Sequence, residues 1–279
     1  MRISKVPMLL AVLAVGAVGC STEDGQPTAT NAPPPLAYIR YVNALPDTQN
    51  TTVRFIDYIE YTPQTFANVA YRGLGQGLYQ GLKAGSRQLR IFNADATNFS
   101  AAGNTAVLGD LTQTFEAGKY YTILFTGYAR AGTKTIKVIE DVLPSPGSNI
   151  AIRVLNANTG LGSIDAYKTA AAGDAITGTP AFANVAAQAY SSYITAAPGA
   201  FAIRATAAGN AATIHASAAA PAGTAGTTTA DPIGGATVAG TVITAMVFPA
   251  SVTGSMAAAS AAPSVVYVVD KQPPRTTSP

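Results

Sequence analysis

The chain has 279 residues, with 17 basic and 14 acidic side chains and only 11% charged residues, less than half the share of about 25% usual in soluble domains. Arg2 and Lys5 precede an apolar run of the kind removed on export, which leaves 15 basic residues against 14 acidic ones, and so neutral a chain lacks the clustered basic face that nucleic-acid binding needs. One histidine, one cysteine and no tryptophan exclude an intramolecular disulfide and leave little with which to bind a metal or do acid–base chemistry.

The first element in chain order is an address. Arg2 and Lys5 form a positive n-region, and Met8 to Val18 is an almost unbroken apolar run of 11 residues, the length of a signal-peptide h-region and short of the roughly 20 residues that span a bilayer. Ala17-Val18-Gly19-Cys20 closes the run with small residues and the sole thiol, and it resembles the lipobox of bacterial lipoproteins, with Ala17 where Leu is commonest. That resemblance implies removal of residues 1–19 as a signal peptide, lipid attachment at Cys20 and a firm membrane hold, since each buried methylene adds about 0.8 kcal/mol. Ser21 stands where an Asp would imply inner-membrane retention, so the expected location is the cell envelope at the outer membrane, periplasmic or surface-exposed. Residues 20–36 are polar and proline-rich, with Leu36 the one large apolar side chain, and read as a disordered tether behind the acylated Cys20.

Beyond the tether the apolar pattern has period two, the mark of half-buried strands. Leu89 and Ile91 alternate with Gln88 and Arg90, Tyr121, Ile123 and Phe125 with Thr122 and Leu124, and Ile136 and Val138 with Thr135 and Lys137. Turn signals such as Leu45-Pro46-Asp47, Ala84-Gly85-Ser86 and Glu116-Ala117-Gly118 separate these runs. Six or seven strands in about 110 residues is the count of an antiparallel β-sandwich of the immunoglobulin or fibronectin kind.

The whole pattern then repeats. Phe66-Ala67-Asn68-Val69-Ala70 returns as Phe182-Ala183-Asn184-Val185-Ala186, and Ile39-Arg40-Tyr41-Val42-Asn43-Ala44 as Ile152-Arg153-Val154-Leu155-Asn156-Ala157. Ala117-Gly118-Lys119 is answered by Ala239-Gly240-Thr241, and the closing Glu140-Asp141 by Val269-Asp270. These landmarks predict two tandem sandwich modules, at 37–147 and 148–271, with a polar tail at 272–279. In the second, strands are expected at 149–156, 163–167, 189–195, 201–206, 241–248 and 265–270. Seven of the 22 aromatics lie there, which predicts a thinner core. The Ala, Gly, Thr and Pro stretch from Ala216 to Gly240 reads as a mobile loop, with a helix over 216–222 opposed by Pro221.

The first copy carries a family likeness in Tyr38-Ile39-Arg40-Tyr41-Val42-Asn43-Ala44-Leu45-Pro46-Asp47, in Thr52 to Asp57, in Gly81 to Ile91 and in Ala117 to Gly127. These stretches resemble the DUF4397 family of bacterial envelope proteins, whose modules often occur in tandem. The resemblance implies a sandwich fold and a surface location, and it supplies no catalytic residues.

Chemistry-bearing groups are few. His215 lacks a Gly-x-Ser-x-Gly partner motif, and Gly73-Leu74-Gly75-Gln76-Gly77 has neither the spacing nor the following helix of a phosphate loop. No catalytic residue, cofactor or metal site is expected. Arg54, Tyr58, Tyr61, Tyr71, Arg72 and Tyr79 form the candidate ligand face, because amphipathic rings near arginines suit a protein or glycan contact. The chain is therefore expected to be a non-catalytic binder or scaffold held to the membrane by its lipid anchor, with an envelope protein or a polysaccharide as partner. A carbohydrate-binding or adhesion module is the alternative.

Overall fold

Some runs in this chain carry apolar residues on both faces with a single polar interruption, among them Tyr120 to Phe125 with Thr122, Ile150 to Leu155 with Arg153 and Val242 to Phe248 with Thr244. A strand covered on both faces can be apolar throughout, whereas one with a wet face must alternate. The computed structural model, which describes residues 33–57, 65–75, 78–94 and 107–275, sorts the strands by this rule into inner and outer sheets.

In the first half, β1 (Leu36–Asn43), β4 (Gln80–Lys83), β7 (Tyr120–Thr126) and β8 (Thr135–Glu140) form an inner sheet of order β4-β1-β7-β8. Its outer sheet, β3-β2-β5-β6, is built from β2 (Thr51–Phe55), β3 (Thr65–Val69), β5 (Gly85–Asn93) and β6 (Val107–Phe115). The second half follows the same plan with β9 (Ile150–Asn156), β10 (Ile164–Thr169), β11 (Phe182–Val185), β12 (Ala189–Tyr190), β13 (Ile194–Ala196), β14 (Ala202–Ala207), β15 (Asn210–Ala219), β16 (Val242–Phe248) and β17 (Ser264–Lys271). Its inner sheet runs β12-β9-β16-β17, with β13 also on β9, and its outer sheet β11-β10-β14-β15. The architecture is all-β. Among the described residues the one helical segment is a 3-10 turn at Thr159–Leu161.

Each half closes its own core. Ile39, Tyr41, Ile123 and Phe125 meet Phe55, Phe66, Leu89 and Ile91 in the first, while Ile152, Val154, Ile243 and Val247 meet Ile164, Phe182, Phe201 and Ile203 in the second. A third cluster joins the two inner sheets back to back: Val42, Tyr71 and Leu124 from the first half, Leu155, Met246, Phe248 and Val268 from the second. Every residue of β9 and β16 is therefore buried, whereas β6 exposes alternate positions. Residues Pro35–Pro279 form one compact unit.

Several expectations are corrected by these elements. The sandwich is not wholly antiparallel, because β1 and β7 pair in parallel, as do β9 and β16. Parallel neighbours need a long crossover, and here the intervening strands of the outer sheet supply it. The strand expected at 189–195 is split into β12 and β13, because the Ser191 hydroxyl takes the Val154 N–H at 2.9 Å in place of a backbone carbonyl. The loop expected from Ala216 begins later, since β15 runs to Ala219 and pairs with β14. Small side chains lowered the apolar signal there without removing the backbone ladder, and Ala216 itself is core.

The following segment also has a specific shape. Thr224 and Ile233 exchange backbone bonds, and Ala236 N–H and Thr237 N–H reach Pro221 and Ala222 carbonyls at 2.8 and 2.9 Å. Gly235 lies so close to the Ala222 backbone that a β-carbon would collide with it.

The repeated pentapeptides form the edge strands β3 and β11, neither of which was expected as a strand. Both are bulged against their partners, and the bulge puts Asn68 at φ 53° and Asn184 at φ 48°. Asparagine tolerates this left-handed conformation better than most residues, which explains why it recurs at the same place. The Asn184 N–H is caught by an Asp165 carboxylate oxygen at 2.7 Å. Asn184→Val is expected to cost roughly 1–2 kcal/mol and Asn184→Gly only a few tenths, read by urea denaturation; equal losses would show that the backbone angle is not the constraint.

Candidate functional site at the seam

The two inner sheets place their even-spaced side chains against each other, and two arginines stand among them. Arg40 comes from β1 and Arg153 from β9, at the same position of the repeated motif, and they are 0% and 4% exposed. A buried guanidinium needs a carboxylate and further acceptors. Each finds its carboxylate in the other half: Arg40 Nη1 donates to Asp270 Oδ1 at 2.5 Å, and Arg153 Nη2 to Asp141 Oδ1 at 2.6 Å.

Matched threonines complete the knot. Arg40 Nε donates to Thr122 Oγ1 at 2.7 Å and Arg153 Nε to Thr244 Oγ1 at 2.8 Å. Thr122 and Tyr79 hydroxyls in turn donate to Asp141 Oδ2, and Thr244 and Tyr193 hydroxyls to Asp270 Oδ2. Every carboxylate oxygen thus has a donor. Rings cover the cations, with Arg40 4.7 Å from the Tyr79 centroid and Arg153 3.7 Å from that of Tyr190. Two positive and two negative groups balance, and burial, which works against the Arg40 charge, is outweighed by Tyr190, Asp270, Tyr79 and Asp141 so that its pKa lies above the ordinary value.

Burial pushes the Tyr79, Tyr190 and Tyr193 hydroxyls well above the usual tyrosine range, and Tyr71 up to about 12. A tyrosine whose folded pKa is raised stabilises the fold fully below its unfolded value near 10 and loses that contribution as pH rises through the folded value. Unfolding free energy should therefore stay level to about pH 9 and fall above about pH 10, by about 1.4 kcal/mol per pH unit for each such tyrosine. Urea titrations at stepped alkaline pH would read this, and a level profile to about pH 12 would contradict it.

The six residues of the candidate ligand face separate in the structure. Tyr71 is 5% exposed and donates to the Pro249 carbonyl at 2.6 Å. Arg72 donates to the Pro249 and Ala262 carbonyls, and Tyr79 belongs to the knot. All three are thus engaged in joining the halves. Arg54 lies on the outer sheet, opposite Arg90 of β5. Tyr58 and Tyr61 lie outside the described residues, as does Cys20.

Asn158, where the second copy departs from the Pro-Asp turn, ties the seam from the other side by donating to the Ala44 and Gly127 carbonyls at 2.8 and 3.0 Å. Sequence reasoning passed over Arg40, Arg153, Asp141 and Asp270 as site residues. The available signal was an arginine retained in both copies inside an otherwise largely apolar strand, and an aspartate retained at the close of both copies.

A cleft of about 420 Å³ opens beside the knot, with Tyr38, Tyr79, Tyr120, Leu78 and Leu143 among its walls. Tyr38 and Tyr120 are register partners across the parallel β1–β7 pair, so their rings stack, 4.8 Å apart and 17° from parallel. Tyr79 meets Tyr120 edge-on at 5.0 Å. A second cleft of about 370 Å³ lies along Ser145, Pro146, Gly147 and Gly240 and shares Lys271 and Gln272 with the first. Among the described residues no group of three or more His, Cys, Asp or Glu side chains could hold a metal ion, and no helix is long and apolar enough to cross a membrane.

Residues 37–167 match the family model described as Domain of unknown function (DUF4397). The matched stretch covers the whole first half and ends within β10 of the second. No curated protein matches the chain.

Proposed function

From the family match over residues 37–167, we propose that both halves are modules of this kind and that the chain is a lipid-anchored cell-envelope protein that binds or scaffolds rather than catalyses. The observation that carries the anchor is the sole cysteine at position 20, directly behind a charged n-region and an 11-residue apolar run and ahead of a polar tether. The non-catalytic role is supported by what the buried polar groups are engaged in. Asp141 and Asp270 converge in the interior, yet both side chains are 0% exposed and each oxygen is held by an arginine, threonine or tyrosine. Groups so held bind the two halves together and are closed to a substrate.

The anchor is tested by metabolic labelling with a clickable fatty acid. The native chain should carry the label and fractionate with the outer membrane, while Cys20→Ser should lose the label and leave the membrane pellet. Undiminished labelling of Cys20→Ser would overturn the reading.

A further inference from the structure

The seam cleft is furnished differently from its counterpart in the second half. Stepping two residues back from the matched arginines and threonines, Tyr38 and Tyr120 correspond to Ala151 and Val242, which are register partners in the same way. Ala151 and Val242 are buried, and the same architecture closes over them without a ring. The stacked tyrosine pair is therefore an addition to the fold that the strand plan does not require. Both rings are only partly buried, and neither phenol hydroxyl has a hydrogen-bond partner among the described residues.

We propose that this cleft is a saccharide subsite that takes a neutral pyranose against the Tyr38 and Tyr120 rings. A pyranose has an apolar C–H face and radiating hydroxyls, which suits a wall of half-exposed rings with polar groups at its edge. Leu78, 48% exposed, and Leu143 extend the apolar wall. The edge supplies the two phenol hydroxyls, the Lys271 ammonium and the Gln272 amide nitrogen, whose partner oxygen is already held by the Gly234 N–H at 2.6 Å.

Among the described residues the cleft wall holds no arginine, the side chain that grips a carboxylate bidentately, so a neutral sugar is the fitting occupant. Asp270 has both oxygens engaged, which leaves Lys271 as the one exposed charge in the wall, itself 3.1 Å from the Ser145 hydroxyl. The shared residues Lys271 and Gln272 join the two clefts into one furrow, so the occupant is a stretch of polysaccharide longer than a single sugar. The assignment rests on reading the chain as a non-catalytic binder.

The test titrates the full chain in detergent with cellohexaose, maltohexaose, mannohexaose and laminarihexaose, with a trigalacturonate and a polyproline peptide as comparisons. At least one neutral oligosaccharide should bind, and its ring protons should receive saturation from tyrosine resonances in difference NMR. Tyr38→Ala with Tyr120→Val, which copies the second half and should lower the melting temperature through the lost ring contacts while leaving the chain folded, is expected to weaken binding at least about tenfold. Failure of every neutral probe, preference for the trigalacturonate or the peptide, or undiminished binding by a folded double variant would each overturn the site. Shortened oligosaccharides in the mixture would sink the non-catalytic reading and leave the site standing. Loss of binding with Cys20-dependent fatty-acid labelling intact would sink the site and leave the anchor.

Discussion

Asp141→Asn is expected to lower the unfolding free energy by roughly 3–5 kcal/mol, the usual cost of removing one partner from a buried ion pair. The reason lies in what remains. Arg153, 4% exposed, would keep its full charge with Asp270 Oδ2 at 3.8 Å as its nearest anion, and the Tyr79 and Thr122 hydroxyls would lose a charged acceptor. For a unit of this size the melting midpoint should fall on the order of 10 °C. Asp270→Asn should behave alike because the knot is matched across the seam. Arg40→Met combined with Asp270→Asn should cost less than the two single changes added together, since it removes a cross-seam pair as a whole. A loss below about 1 kcal/mol for either single change would mean that water reaches the knot.

Severing the chain within the 141–149 connection is expected to leave neither half stable alone. Residues 33–144 alone would expose Val42, Tyr71 and Leu124, and residues 145–275 would expose Leu155, Met246 and Phe248. Soluble monomers rarely tolerate contiguous apolar faces of more than a few hundred Å². Each half would also keep an arginine whose shortest carboxylate contact is in the other piece. Produced separately, the halves should aggregate or melt well below the intact chain; produced together, they should copurify one to one. Isolated halves as stable as the joined chain would show that the seam adds nothing to the fold.

The local part of this structure was legible. Period-two runs mark β5 and β8, while the runs at 120–125, 150–155 and 242–248, apolar on both faces but for Thr122, Arg153 and Thr244, carry the sign of two-sided burial. The repeat of Phe66–Ala70 at Phe182–Ala186 was visible as a duplication, but not as a bulged edge strand, because the left-handed angle at Asn68 and Asn184 comes from pairing with β2 and β10. The Ala-rich run into β15 was misread because alanine signals neither strand nor loop, and only the ladder to β14 decides it. Tyr71, Arg72 and Tyr79 were grouped by nearness in sequence, while the seam engaged them for contacts with residues far along the chain, such as Pro249.

By itself the sequence determined the all-β character, most of the strand-forming segments and the doubling of the plan, since each is written in patterns a few residues long. Only the tertiary structure decided that the inner sheets lie back to back and that Arg40 meets Asp270, 230 residues away. The physical reason is that an alternating pattern says which residues share a face, whereas the partner of that face is chosen by burial and charge balance over the whole fold.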